Sequence, residues 1–323
     1  MIRSDFYTNR KFKHIRLGFG QGLVEAGEED ENVVALSADL TESIHMHHFK
    51  NRFEDRFIQV GVAEQNLVTL ASGMAHAGKI PFAGSYAAFS PGRNWEQIRT
   101  TIALNDQPVK IVGSHAGLSV GPDGATHQVL EDIALMRSLP NMTVIVPGDA
   151  NEAQVATLEA ARYNKPVYLR LSRDKTPLFK KGPFEIGRVY TMKEGEDITL
   201  MGTGFMTSHL LDVAVELGYL GIDAEVLHVP TVKPLDETAI MLSAAKTGRI
   251  VTLEDGQIAG GFGSAIAELM SGKLPTPVLR LGVQDRFGQS GKTFELLKEY
   301  WLDAPSVLKS TLEFIEVTPR YHQ

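Results

Sequence analysis

The sequence predicts an α/β protein of two open, mostly parallel sheet domains with helices on both faces. Three observations lead there. Apolar runs of strand length alternate with longer amphipathic segments, the pattern of βα units. Between residues 172 and 197 the alternation stops, and Pro177, Gly182, Pro183, Gly187 and Gly195 punctuate the chain. The length, 323 residues with 43% hydrophobic content, suffices for two cores. These place one unit at 1–185, including the start of the linker, and a second at 186–323.

In order, residues 33–37 and 57–60 read as buried strands, and 63–77 has helical spacing closed by Gly78. Residues 80–83 and 109–113 are strands. Residues 143–146 form a strand stopped by Pro147-Gly148, 150–162 a helix, and 166–171 a strand again. The linker is expected to be poor in helix and to carry a short hairpin. In the second unit, strands are expected at 198–201, 224–228, 250–253 and 278–281. Helices are expected at 207–217, 236–245, 263–270 and 292–300. There is no internal repeat and no low-complexity tract.

The net charge of -7 argues against nucleic-acid binding, which needs a basic surface. The absence of cysteine excludes disulfides, thiolate metal sites and a cysteine nucleophile. Charged residues from Arg3 to Arg16 leave no apolar signal core, and no run is long enough to span a bilayer. A soluble cytoplasmic protein without membrane contact is expected.

Four stretches carry residue types suited to chemistry. Residues 60–66 read Val-Gly-Val-Ala-Glu-Gln-Asn and place Glu64 at a strand-to-helix turn, near the carboxyl edge of a sheet where ligands bind. By spacing alone Glu64 reads as a capping acid stabilised by the helix dipole. Tyr86 and Phe89 have the spacing of paired core aromatics. Residues 113–124 contain four glycines, which let backbone approach a ligand closely, and 121–128 read Gly-Pro-Asp-Gly-Ala-Thr-His-Gln. Arg173 follows the last strand of the first unit. His45, His47 and His48, near Glu42, match no metal-site spacing and read as a mobile loop bordering the site. Gly202-Thr203-Gly204 follows a strand like a dinucleotide loop, but Thr207 stands where the third glycine belongs.

The motifs at 60–66 and 121–128 together resemble the pyrimidine-binding half of a thiamine diphosphate enzyme of the transketolase family. The likeness runs from about Arg16 to the end of the chain. It implies that Glu64 contacts N1′ of the cofactor's aminopyrimidine from an apolar, dry setting that raises its pKa. It implies that Tyr86 and Phe89 wall the pyrimidine, with Gly92 where a third aromatic often stands, and that Asp39 lies near the cofactor. Asp123 would bond a donor-sugar hydroxyl, and His127 the carbonyl or developing alkoxide at the reacting carbon. His115 and Arg173 match sugar-phosphate contacts, an arginine fork suiting phosphate. Ser43 and Arg16 fall at phosphate-contact registers, although Arg16 reads equally well as a solvated surface residue. Glu64 and His127 are the implied catalytic pair.

The family clamps the diphosphate through Mg²⁺ held by a Gly-Asp-Gly motif and a later asparagine, and hard oxygen ligands suit that ion. Pro147-Gly148-Asp149-Ala150 lacks the second glycine, and Asp255-Gly256 lacks the pattern. No metal ligand is therefore assigned to this chain. The resemblance implies the C-terminal subunit of a split transketolase, with an N-terminal partner holding diphosphate and Mg²⁺ in an α2β2 assembly acting on sugar phosphates. A 2-oxoacid dehydrogenase β subunit, a deoxyxylulose-phosphate synthase and a non-catalytic regulatory homologue are the rivals. His115 argues against the synthase, and His115, the Asp123–His127 motif and Arg173 argue against the dehydrogenase.

Overall fold

The computed structural model describes residues 2–319. The first unit opens with β1 (Phe12–His14), α1 (Ile15–Glu29), β2 (Val33–Ser37), α2 (His47–Arg52), β3 (Phe57–Gln59) and α3 (Glu64–His76). It continues through β4 (Ile80–Tyr86), the single turn α4 (Trp95–Gln97), β5 (Lys110–Ser114), α5 (Asp132–Arg137), β6 (Thr143–Ile145), α6 (Ala150–Arg162), β7 (Val167–Arg170) and β8 (Lys175–Pro177). The second unit holds β9 (Tyr190–Lys193), β10 (Ile198–Gly202), α7 (Met206–Tyr219), β11 (Ala224–His228), β12 (Thr231–Lys233) and α8 (Glu237–Thr247). It ends with β13 (Ile250–Gln257), α9 (Phe262–Lys273), β14 (Val278–Val283), α10 (Thr293–Glu299) and α11 (Ala304–Val317).

Seven strands form the first sheet, in the order β12-β6-β7-β5-β4-β2-β3, and five the second, in the order β14-β13-β10-β11-β9. Pairing is parallel throughout except at the edge strands β12 and β9. Burial on both faces shows in β2. Val33 and Ala35 point into one core cluster, Val34 and Leu36 into the other.

The linker does not form a hairpin. β8 pairs antiparallel with β1, and β9 joins the second sheet beside β11, so each strand finds a distant partner. β12 crosses from the second unit to the edge of the first sheet, pairing Thr231 with Ile145. Below it, the buried Arg170 of β7 bonds Asp132 of α5 at 2.8 Å and Asp255 of β13 at 2.7 Å. Burial works against that charge, but the two carboxylates hold the guanidinium above its ordinary pKa.

Helix α1 has no sequence signal of its own, because four glycines dilute its helical propensity. Its glycines are contact points. A Cβ on Gly18 would lie 1.8 Å from the Ala150 carbonyl oxygen, and one on Gly22 2.4 Å from that of Gln154. The backbones of α1 and α6 therefore approach closely, and this fixes the start of α1, where Arg16 sits.

Candidate active site

The carboxyl ends of β2, β4 and β5 lie side by side and carry most of the candidate residues. Tyr86 ends β4 opposite Ser114 of β5, so the following residue, His115, comes under the tyrosine ring. The two rings stack with centroids 3.8 Å apart. Phe89 lies 6.1 Å from Tyr86 in a near-parallel arrangement, and His127 meets Phe89 edge-on at 5.4 Å.

Glu64 is the first residue of α3 and is only 3% exposed. Its setting differs from the apolar pocket expected of it. Arg93 Nη1 donates to its carboxylate at 3.1 Å, while the Arg93 guanidinium lies over the Phe89 ring at 5.2 Å. Asn94 holds the Glu64 carbonyl through a 2.7 Å bond. Sequence reasoning missed Arg93, since nothing local marks a partner 29 residues away. At Gly92 a Cβ would fall 2.1 Å from the Ala88 carbonyl oxygen, so no side chain fits there without moving the backbone. Trp95 points elsewhere, donating from Nε1 to the Leu135 carbonyl.

His115 is buried, and its Nδ1 lies 3.0 Å from Ser114 Oγ. Burial first, and then the nearby Arg16 and Arg173 charges, push its pKa down to about 2. The ring is therefore a neutral imidazole across the working range of pH. Arg16 Nη1 approaches His115 Nε2 at 3.5 Å and donates to the Ser43 carbonyl oxygen; Nη2 donates to the Arg173 carbonyl oxygen at 2.8 Å. Arg16 is thus buried at the start of α1, and the surface reading of this residue is corrected. Ser43 is half-buried and engaged here through its main chain. Arg173 is anchored by its backbone N–H on Ser119 Oγ at 2.9 Å.

A cleft of about 710 Å³ opens at this end, lined by His14, Arg16, Ser119, Arg173, Asp174 and Thr293 among others. Direct contacts therefore run unbroken from Glu64 through Arg93, Phe89, Tyr86 and His115 to Arg16 and Arg173. His127 flanks the middle of that track. Asp39 and Asp123 stand apart. Both are exposed, and neither carboxylate is hydrogen-bonded or ion-paired to another candidate residue. Asp39, His45 and His115 have φ of 59°, 61° and 54°, a left-handed backbone that aspartate and histidine adopt more readily than most side chains.

The buried carboxylate at a helix start with aromatic rings beside it fits an aminopyrimidine. The two aspartates nearest to a diphosphate-metal motif do not fit a metal. Asp149 caps α6, accepting N–H bonds from Asn151, Glu152, Phe179 and Lys180 at 2.8–3.0 Å, and Asp255 is spent on Arg170. The segment at 45–48 is an ordered turn leading into α2, not a mobile loop, and it brings three imidazoles together.

Residues 13–177 match the family described as "Transketolase, pyrimidine binding domain", and residues 187–307 match "Transketolase, C-terminal domain". The chain belongs to the transketolase family. It is 43% identical over 307 residues to a Methanocaldococcus jannaschii protein named as a transketolase C-terminal section, covering 94% of this chain and 96% of that one. It is 39% identical to a 6-deoxy-6-sulfo-D-fructose transketolase subunit of a Clostridium species, covering 91% and 92%. A solved structure titled "Split gene transketolase, inactive beta4 tetramer" superposes with a TM-score of 0.89 at 40% identity, covering 95% of this transketolase chain and 99% of that chain. No described helix is long and apolar enough to cross a membrane.

Proposed function

We propose that this chain is the C-terminal subunit of a split transketolase of the cytoplasm, built from the units 1–185 and 186–323. It moves a two-carbon ketol unit from a ketose phosphate to an aldose phosphate, in an α2β2 assembly with an N-terminal chain that holds diphosphate and Mg²⁺. The observation that carries this reading is the unbroken track from the buried Glu64 to the cationic cleft at Arg16 and Arg173. It spans the groups needed at both ends of a sugar phosphate in reach of a pyrimidine. Support for the split comes from relatives of the same extent, which this chain covers over more than nine-tenths of their length. Asp149 and Asp255, already committed to structural bonds, support a metal site on the partner.

Thiamine diphosphate, when bound, supplies the centre that stabilises the carbanion of the transferred unit. This chain's residues do the rest. Glu64 holds a proton at N1′ of the pyrimidine, and Arg93 must yield its contact or share it. Tyr86 and Phe89 orient the ring and exclude water from one side. His127 donates to the sugar oxygen on which negative charge develops. His115, held neutral, donates or accepts a hydrogen bond without adding charge. Arg16 and Arg173 take the phosphate, with Ser43 beside them, and Asp39 and Asp123 close the rim when cofactor and sugar are present.

The test is a coupled ketol-transfer assay with xylulose 5-phosphate, ribose 5-phosphate, thiamine diphosphate and Mg²⁺. The chain is run alone and mixed with an N-terminal subunit carrying Gly-Asp-Gly. Activity is expected only in the mixture and should be lost with Glu64→Gln. Activity of the chain alone, or undiminished activity of the Glu64→Gln mixture, overturns the reading.

A further inference from the structure

His45 in the turn before α2, with His47 and His48 at the start of that helix, places one ring nitrogen of each within 4.8 Å of the others. The rings of His47 and His48 are 4.0 Å apart, and His45 is 5.6 Å and 5.8 Å from them. The Nδ1 atoms of His45 and His47 are buried and have no hydrogen-bond partner among the described residues. A buried polar atom left unpaired costs about 1–3 kcal/mol, so two in one cluster need an explanation.

The cluster is seated against α1. Gly20 makes room for it, since a Cβ there would lie 2.6 Å from the His45 carbonyl oxygen and 3.1 Å from the His48 ring. His45 holds a left-handed backbone with φ 61°, which turns its ring toward the other two. Among the described residues no carboxylate joins the group, so the candidate ligands are three imidazoles. Imidazole nitrogens without a protein partner suit a borderline transition metal.

We propose that His45, His47 and His48 bind one divalent late first-row metal ion, of the zinc, nickel or cobalt class. Metal–nitrogen bonds of about 2.0–2.1 Å put the ligand nitrogens of one tetrahedral ion about 3.4 Å apart. From separations within 4.8 Å, side-chain rotations that bring each pair of nitrogens closer by up to about 1.4 Å seat the ion. Three protein ligands leave at least one position for water or another donor. The ring of His14, which lines the cleft, is 6.4 Å from that of His45, so the ion sits just outside the anion-binding end. It is separate from any Mg²⁺ on a diphosphate, because imidazole ligands disfavour that hard ion.

The test uses the full chain without a polyhistidine tag, stripped with chelator. Calorimetric titration with Zn²⁺ is expected to show one ion per chain, and Co²⁺ the visible absorption of a low-symmetry nitrogen site. Mg²⁺ should give no heat of binding at this site. His47→Ala and His45→Gln should each weaken Zn²⁺ binding on the order of 100-fold, at least the loss seen when a metal's supporting shell is removed. His76→Ala, an exposed histidine on α3, should leave it unchanged, and Gly20→Ala should weaken it by displacing two ligands at once. Circular dichroism checks that each variant is folded. Absence of stoichiometric Zn²⁺ binding, binding indifferent to both His47→Ala and His45→Gln in folded protein, or displacement by Mg²⁺ overturns the proposal.

Discussion

Replacing Arg170 with Met should cost this chain a large part of its stability. Arg170 is 4% exposed and makes three charge-assisted bonds: to Asp132 at 2.8 Å, to the Asp255 carboxylate at 2.7 Å and to the Asp255 carbonyl at 3.1 Å. Each such bond contributes about 1.5–3 kcal/mol, an upper sum of about 9 kcal/mol. The loss will be smaller, because a stranded carboxylate can take up a proton. Burial already pushes Asp255 up to about 6, so at pH 7 a further rise of about one unit half-protonates it and about two units neutralise it, at about 1.4 kcal/mol per unit. Tyr168 still donates to Asp132 at 2.7 Å. The net expectation is about 3–5 kcal/mol, the usual cost of removing one member of a buried ion cluster. That corresponds to a fall in Tm on the order of 10 °C. Thermal unfolding followed by circular dichroism reads it, beside the triple variant Arg170→Met, Asp132→Asn, Asp255→Asn. The triple variant should recover part of the loss, since it leaves no charge unpaired. A loss below about 1 kcal/mol in the single variant, or a triple variant weaker than the single, would refute the reasoning.

Three further outcomes are expected. Gly18→Ala forces a methyl onto the Ala150 carbonyl oxygen and should destabilise by about 1–3 kcal/mol, seen as a lower urea midpoint; an unchanged midpoint contradicts the close crossing of α1 and α6. Glu254 is held at about 7 by burial, against backbone N–H bonds from Phe262 and Gly263. The folded chain therefore keeps a proton that the unfolded chain releases near 4.5, and this contribution to stability falls as pH rises through that window and is flat above about 7. Glu254→Gln should flatten the pH dependence of Tm between about pH 4.5 and 7, and an unchanged slope argues that the proton sits elsewhere. Arg173→Ala should raise KM for phosphorylated sugars far more than for unphosphorylated ones, and equal increases would remove its phosphate role.

Most strands were legible because β2, β5, β10 and β11 are short, centred on apolar residues and buried along their whole length, the pattern of a parallel sheet covered on both faces. Helix α1 was not, because Gly18, Gly20, Gly22 and Gly27 look like loop composition until the surfaces pressed against them are known. The linker strands failed for a related reason. β8 and β9 are defined by partners far off in the chain, and a local hairpin is the cheapest guess when those are hidden. At the site, Glu64, His115 and His127 sit in motifs of contiguous residues and could be picked out. Arg93 could not, because its meaning lies in a contact across a turn. The three histidines were visible as letters, but their convergence depends on one left-handed residue, His45.

The strand β12 bears on how the cleft can work. Thr231 and Lys233 extend the first sheet, the Val146 N–H donates to the Pro230 carbonyl at 2.7 Å, and Lys233 Nζ reaches the Arg137 carbonyl at 3.0 Å. Swinging the two units apart would tear a sheet edge as well as the Arg170 cluster. Hinge closure, the common way for a two-lobed protein to trap a ligand, is therefore blocked within this chain. Entry and exit of a ligand must be governed by side chains at the rim and by whatever docks over Glu64. The width of the cationic cleft is set once, at folding, so tolerance for different ligands is decided by its walls and not by how far it shuts.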